Sequence, residues 1–281
     1  MKHRLFAFLL LVLSCHVPAL EITVPTTDYD KEKLNRFTQG RSWAEIASYA
    51  GLDSGGLVEQ AIFRRAIVLG GLDARFIDFI VPNSARARES IRSGMVVGGG
   101  PAVWHAYFEE NPSELYESDV LIPDGHFEKG LYALPQKLPR IRNSADLRQL
   151  TVVSTQTWQV DWSTLERLRF GKRLSVPTKD QQFKMVQSGW ADVLLHDFAN
   201  TPDMSIEIKG VRLVPVPGVK IGLAGSRHFI VSKQHPDGER IFSALQKGLK
   251  IMRKNGEIQR AFMESGFYNK TARNWLLLKP E

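Results

Sequence analysis

The sequence contains a single cysteine, Cys15, and therefore has no disulfide within the chain. A domain of about 260 residues without disulfides depends on a hydrophobic core for its stability. The composition can supply that core, because 43% of the residues are hydrophobic and the chain has 6 tryptophans and 15 phenylalanines. These values exclude a disordered chain. After the N-terminal segment, no apolar run of about 20 residues lacks charges or breakers, so the sequence predicts no membrane span.

The motifs of several common catalytic sites are also missing. The sequence has no Gly-x-Ser-x-Gly elbow, no His-Glu-x-x-His zinc helix and no Gly-Lys-Ser/Thr phosphate loop. Their absence argues against hydrolases with a nucleophile elbow, zinc proteases and P-loop nucleotidases. We therefore predict a protein that is not an enzyme and that holds neither a metal nor a cofactor.

The N-terminal residues are typical of an export signal. A basic start precedes an apolar core at 5–13, and residues 17–19 offer the small side chains that signal peptidase accepts. We expect 1–20 to be removed and the mature protein to be periplasmic. The alternative is a poor lipoprotein signal, in which Cys15 is acylated and retained.

The charge of the chain is modest. The formal net charge of +7 falls to +5 when Lys2 and Arg4 leave with the signal. Together with export, such a small excess argues against nucleic acid as a partner. We expect a monomer with a small-molecule ligand.

A unit of alternating strands and helices occurs twice along the chain. In the first half, Asn83 has the position of a helix cap and Gly94 that of a helix end. The first unit has predicted strands at 22–24, 75–81 and 95–97 and helices at 57–69 and 83–93. The second unit has strands at 150–154, 173–177 and 192–195 and helices at 161–170 and 180–188. This alternation predicts parallel strands with right-handed crossovers, an α/β fold.

The rest of the chain predicts two connections between two lobes. Further strands at 213–216 and 228–232 precede a helix that opens at Asp237 and a last helix that ends before Gly266. If this tail packs on the first lobe, the chain crosses between lobes twice, near 132–139 and 211–219. We predict lobe 1 at 21–134 plus 218–281 and lobe 2 at 135–217. Ligands of open parallel sheets bind at the carboxyl ends of the strands, which here face the cleft between the lobes.

Several segments resemble a known family. They are 91–98, 147–157, 225–233 and, above all, 185–197 with the sequence MVQSGWADVLLHD. In this order they are similar to type II periplasmic solute-binding proteins, and most of all to the amino-acid-binding branch, bacterial extracellular solute-binding protein family 3. The resemblance implies two lobes that close on a small molecule by hinge bending and deliver it to an ABC permease or a membrane sensor.

The resemblance also implies ligand-binding positions. Thr157 and Asp197 match the hydroxyl and the carboxylate that hold the ligand in that family, where the aspartate binds a ligand ammonium. The alternative for Asp197 is a helix cap before Phe198. The family's usual arginine clamp for the α-carboxylate is missing, because no Lys or Arg lies between Ser93 and Glu128. A simple amino acid is therefore in doubt as the ligand.

The glycine run that ends at Pro101 offers a different anchor for an anion. Gly99 and Gly100 allow close backbone approach, and a helix at 101–110 would present free amides to a carboxylate. The alternative is a plain strand-to-helix turn. Trp104 and Trp158 are candidates for lining the cleft, where aromatic faces attract cations and rings.

Three questions stay open at the level of sequence. Arg227 either replaces the missing clamp or forms a surface ion pair. The segment 25–56 either reaches over the cleft or pads the first lobe. The family resemblance also includes dehydratases that act on cyclic acids, for which His105 and Asp197 would be the acid–base pair.

Overall fold

The computed structural model describes residues 19–52, 54–142, 147–208 and 210–280. The strands, in chain order, are β1 Leu20–Thr26, β2 Ala74–Ile80, β3 Val103–Trp104, β4 Leu115–Glu117, β5 Phe127–Ala133, β6 Thr151–Ser154, β7 Lys172–Ser175, β8 Val193–His196, β9 Ile206–Ile208, β10 Val211–Pro215, β11 Val219–Leu223, β12 Arg227–His228, β13 Ile230–Ser232 and β14 Leu276–Leu278. The α-helices are α1 Asp28–Thr38, α2 Gly55–Leu69, α3 Ser84–Arg92, α4 His105–Glu109, α5 Leu138–Arg142, α6 Gln159–Arg167, α7 Lys179–Gln187, α8 Gly238–Lys254 and α9 Glu257–Glu264. Short 3₁₀ turns lie at 43–45, 135–137 and 147–149.

The first lobe is built around the long helix α2. The Ser54 hydroxyl accepts a hydrogen bond from the Leu57 amide at 3.3 Å and so caps the start of α2. α2 is buried along most of its length and packs against α8, while β1 and β2 pair in parallel beside it. The large side chains at the centre of this core include Phe63 and Phe229, whose rings meet edge to face.

The second lobe contains the repeated unit that the sequence predicts. β6 pairs in parallel with both β7 and β8, and α6 and α7 form the two crossovers. The predicted order of strand and helix from 150 to 195 is confirmed, with bounds that differ by one to three residues. The sheet continues beyond the lobe in the order β14-β11-β5-β8-β6-β7.

The two predicted connections between the lobes lie side by side. β5 pairs antiparallel with β8 of the second lobe on one side and with β11 on the other, and β10 pairs with the end of β5. The crossings are therefore hydrogen-bonded to each other and not separate ribbons. Ile221 and Leu223 of β11 pack in a core that also contains second-lobe residues. The residue boundaries of the lobes stay a prediction.

Three predicted elements in the first lobe are wrong. No named strand forms at 95–97; Gly98 makes one isolated bridge to Val231 instead. The helix predicted at 101–110 is reduced to the five residues of α4, because Val103 and Trp104 pair as β3 with β12. The strand predicted at 228–232 is split into β12 and β13, each with a different partner.

The segment 25–56 pads the first lobe, and none of its described residues lines the cleft. Its side chains Ile46, Tyr49 and Leu52 are buried in the first-lobe core. Residues 1–18 of the signal predicted at 1–20, Cys15 among them, lie outside the described residues. None of the described helices has the length and apolar character that crossing a bilayer requires.

Candidate ligand-binding cleft

A cleft of about 640 Å³ lies between the lobes. The first-lobe wall comes from α3, from residues 100–104 and from α4. The facing wall comes from residues 157–161, the start of α7 and the end of β8, and β5 contributes the floor. Both walls carry charged and aromatic side chains, so the cleft can bind a small polar molecule on two sides.

Five of the six residues predicted to bind a ligand line this cleft: Gly100, Trp104, Thr157, Trp158 and Asp197. Gly99 is not among the lining residues. Its φ of +101° and the closeness of Val24 and Phe63, which a Cβ would meet at 2.7 and 2.8 Å, identify it as a packing glycine. Contact between the five lining residues and a ligand stays a prediction.

The anion site predicted at a helix N-terminus is not formed. α4 begins at His105 and has no side-chain cap. Pro101 precedes β3 and does not lie in the first turn of a helix. The glycine run is instead the tight turn of the alternative interpretation, in which Gly100 faces the cleft and its neighbour faces the core.

Lys129 on β5 is the central cation of the cleft floor. Its Nζ lies 2.6 Å from Asp161 Oδ1 and 3.7 Å from Asp197 Oδ1, and its side chain is 11% exposed. The same ammonium lies 5.5 Å from the centre of the Trp158 ring. Burial alone would lower the pKa of Lys129, but the carboxylates of Asp197 and Asp161 outweigh it and raise that pKa. Lys129 is therefore a permanent charge at neutral pH.

Asp197 is a carboxylate at the mouth of the cleft, with a side chain that is 60% exposed. Partial burial opposes its ionisation, but Lys129, His196 and Lys179 together lower the pKa of Asp197. Asp161 is more deeply placed, at the first turn of α6, where a helix favours negative charge. Both carboxylates thus face a cation of the protein itself.

Arg227 forms a buried ion pair and does not lie on the surface. Its Nε donates to Glu59 Oε1 at 2.9 Å and its Nη2 donates to Oε2 at 2.8 Å, in a side chain that is 12% exposed. Glu59 also accepts from the Ala102 amide at 3.0 Å. The guanidinium lies 4.9 Å from the Trp104 ring centre. This network fixes the first-lobe wall and engages the guanidinium, so Arg227 is not a free clamp.

Two cations of the walls form no ion pair with a carboxylate among the described residues, although Lys179 is near enough to Asp197 to lower its pKa. Arg88 of α3 is half-buried, and its guanidinium lies 5.2 Å from the centre of the Tyr107 ring. Lys179 at the start of α7 is exposed, with its Nζ 5.8 Å from the Trp158 ring centre. One comes from each wall, and both line the cleft.

The residues proposed for acid–base catalysis are not brought together. His105 does not line the cleft; its Nδ1 lies 2.8 Å from Glu117 Oε1, and Asp197 faces Lys129. His196 packs its ring against Tyr132, and burial lowers its pKa. The structure therefore gives no support to an acid–base pair of His105 and Asp197.

One histidine cluster could offer ligands to a metal. His105, Glu117 and His228 bring three ligand atoms within 4.8 Å of one another. Hydrogen bonds already engage both nitrogens of His228, since Nδ1 donates to the Ser118 carbonyl at 2.8 Å and Nε2 lies 2.7 Å from Ser226 Oγ. We therefore interpret the cluster as a set of hydrogen-bonded side chains that stabilises β3 and α4.

Sequence reasoning named Arg227 but missed the other three cations of the cleft, Lys129, Arg88 and Lys179. Lys129 follows directly after the stretch without Lys or Arg, but it stands on a strand that was not predicted. Arg88 and Lys179 lie on helices that were predicted. Nothing in the residue type marked these three as cleft residues, because a lone basic residue on a helix or strand is usually solvated. Only their positions in the fold place them in the cleft.

Comparisons with known proteins identify the fold. The chain is similar to a probable amino-acid ABC transporter extracellular-binding protein of Bacillus subtilis, ytmK, with a TM-score of 0.55 and 14% identity over 90% of this chain and 100% of that one. It is also similar to the periplasmic VFT2 domain of BvgS from Bordetella pertussis, with a TM-score of 0.52 and 15% identity over 89% and 93% of the two chains. A third similar structure is substrate-binding domain 2 of Lactococcus lactis GlnP, in open conformation, with a TM-score of 0.50 and 12% identity over 87% and 94%.

The chain has the two-lobed fold of the type II periplasmic binding proteins. The predicted α/β class and the resemblance to this fold are thereby confirmed. No family model matches the sequence, and no curated protein is detectably similar to it. The likeness therefore extends to the fold and leaves the ligand to be argued from the cleft.

Proposed function

We propose that the protein is an exported binding protein that captures a small polar or charged molecule between its lobes and presents it to an ABC permease or a membrane sensor. The observation that carries this proposal is the cleft of about 640 Å³, which receives charged and aromatic side chains from both lobes. A pocket divided between two lobes binds its ligand most tightly when the lobes close. Ligand binding therefore changes the shape of the protein, and a partner can recognise that change.

One similar structure is named as a probable amino-acid ABC transporter extracellular-binding protein, which supports an ABC permease as the partner. Another is named as a periplasmic domain of BvgS. The signal predicted at 1–20 supports a periplasmic location. Mass spectrometry of the mature protein tests this part of the proposal: a chain that begins near Glu21 supports removal of the signal, and an acylated Cys15 contradicts it.

A thermal-shift screen of the purified protein tests ligand capture. The library contains amino acids, polyamines, small carboxylates and sugars, with titration calorimetry for each hit. A ligand at a hundred times its dissociation constant stabilises the folded state by about 2.7 kcal/mol. A library without any hit contradicts the proposal.

A matched pair of tryptophan variants locates the binding. Trp158 lines the cleft, whereas Trp190 is 69% exposed and does not line it. Trp158→Ala should weaken binding of the hit by about tenfold or more, equivalent to about 1.4 kcal/mol. Trp190→Ala should leave binding unchanged. Equal affinities in the two variants would place the ligand elsewhere.

A further inference from the structure

The carboxylates best placed to hold a ligand ammonium already hold one from the protein. Asp161 and Asp197 both face Lys129, at 2.6 and 3.7 Å. The ammonium of Lys129 is buried on the cleft floor. If it moved away from Asp161, the buried carboxylate of Asp161 would be left without a partner, which is costly. A ligand ammonium brought to this position would meet Lys129, a like charge, at close range.

The aromatic faces of the cleft are engaged in the same way. Lys129 and Lys179 lie over the Trp158 ring at 5.5 and 5.8 Å. Arg227 lies over Trp104 at 4.9 Å, and Arg88 over Tyr107 at 5.2 Å. Each ring thus already attracts a side-chain cation, which is the interaction that an ammonium ligand would need.

The charged side chains of the two walls that form no ion pair are mainly cations. Among the described residues, neither Arg88 nor Lys179 has an ion pair with a carboxylate. The planar guanidinium of Arg88 is half-buried and matches a carboxylate with two parallel hydrogen bonds. The third lining carboxylate, Glu110, is exposed at the end of α4, where water screens its charge.

We propose that the ligand is a small organic anion without an ammonium group, held by Arg88 from one lobe and Lys179 from the other. A dicarboxylate can contact both cations and so draws the two walls together. This inference rests on the proposed function, because it names the chemical class of the ligand in the same cleft. It also explains why the position that matches the family's ammonium-binding aspartate coexists with a lysine.

Pairs of ligands that differ only by the ammonium test the inference. The probes are succinate with aspartate, glutarate with glutamate, propionate with alanine, and 3-phenylpropionate with phenylalanine, plus cadaverine and glucose. Calorimetry on the purified protein should show that, in each pair that binds, the acid without the ammonium binds at least tenfold more tightly. Preference for the amino acid, for cadaverine or for glucose would overturn the inference and leave the proposed function standing. Binding of none of the probes counts against both.

A matched pair of arginine variants tests the role of the free cation. Arg88→Gln should weaken binding of the preferred acid at least tenfold. Arg86→Gln removes the same charge from the same helix, at an exposed position that does not line the cleft, and should leave binding unchanged. Equal losses in both variants would show a general effect of charge and overturn the assignment of Arg88.

Removal of the internal ammonium should reverse the selectivity. The double variant Lys129→Met with Asp161→Asn keeps the buried pair neutral, which avoids the unpaired charge that Lys129→Met alone would leave. Asp197 is then free, and the amino acid of the preferred pair should gain at least tenfold relative to the acid. An unchanged ratio in a folded variant overturns the role of Lys129. If the variant does not fold, the ligand pairs and Arg88→Gln still decide the inference.

Discussion

At the scale of single residues, two adjacent glycines in the turn at the first-lobe wall have different roles. Gly99 has a positive φ and lies against Val24 and Phe63. Gly100 lies in the cleft, and the nearest atom to a Cβ built on it is Pro25 Cγ at 3.6 Å. The first glycine is needed for packing, whereas the second is needed only if a ligand approaches the backbone.

We predict that Gly99→Ala destabilises the protein by about 2–5 kcal/mol. The cost combines a left-handed backbone for a residue with a Cβ, about 1–2 kcal/mol, with overpacking, about 1–3 kcal/mol. Gly100→Ala should cost less than about 1 kcal/mol, because an added Cβ makes only ordinary contacts. Urea unfolding of the two variants checks this difference, and equal midpoints would contradict it.

His105 gives a prediction for pH. Its hydrogen bond to Glu117 raises the pKa of His105 above its ordinary value of 6.5, against a smaller effect of burial. A raised pKa stabilises the folded protein fully below about pH 6.5, and that contribution is lost as the pH rises through the folded value. In Glu117→Gln we expect the pKa of His105 to fall.

Proton NMR titration of the histidine rings checks that shift. His196 is the internal comparison, because burial lowers its pKa and Glu117 does not contribute to that shift. It should titrate below 6.5 both in the natural sequence and in Glu117→Gln. A His105 ring that titrates below 6.5 in the natural sequence would contradict the prediction.

At the scale of elements, the first lobe depends on the contact between α2 and α8. Gly248 of α8 lies so close to the carbonyl of Ala66 that any Cβ would overlap it, and Gly70 at the end of α2 meets Ala244 in the same way. The two helices therefore touch backbone to backbone. Close approach of this kind needs glycine at both positions.

We predict that Gly248→Ala destabilises the first lobe by about 2 kcal/mol or more. The higher helix propensity of alanine contributes about 1 kcal/mol in the opposite direction, so the overlap must outweigh it. Lys247→Ala on the exposed face of α8 is the control and should change stability by less than about 0.5 kcal/mol. A more stable Gly248→Ala variant, measured by thermal unfolding, would rule out the contact.

The sequence predicts elements well where their signals are local. α2 and α3 have capping residues and helical periodicity, and the second unit is confirmed from β6 to β8. The strands β3 and β12 are two residues each and exist because they pair with each other across more than a hundred positions. Such pairing leaves no periodic pattern, so the helix predicted at 101–110 was too long.

The candidate site was predictable to the same extent. Thr157, Trp158 and Asp197 follow predicted strands of the second lobe, and the structure places them in the cleft. Lys129 was missed because β5 pairs with strands far along the chain, β8 and β11. The charge balance of a cleft depends on such non-local contacts, which one sequence without relatives does not reveal.

At the scale of the whole molecule, we expect the cleft to close by movement of the lobes relative to each other. Met95 is 58% exposed beyond α3 in the first lobe, and Trp190 is 69% exposed beyond α7 in the second. Spin labels on Met95→Cys and Trp190→Cys, in a Cys15→Ser background, report the separation of the lobes.

We predict that a bound ligand shortens and narrows the distance distribution between these labels. The same labels in an Arg88→Gln protein should show no change at the same ligand concentration, because that variant lacks the predicted anchor. Pulsed electron spin resonance makes the measurement. A distribution that does not respond to a ligand shown to bind would exclude closure as the signal to the partner.

The pairing of β5 with β10 and β11 limits the path of that movement. Strands joined by ladder hydrogen bonds resist sliding past one another and resist twisting independently. We therefore expect these strands to bend together, about one axis, when the lobes move. Each closure should thus bring the same atoms opposite each other, so that Arg88 and Lys179 return to the same separation in every closed molecule.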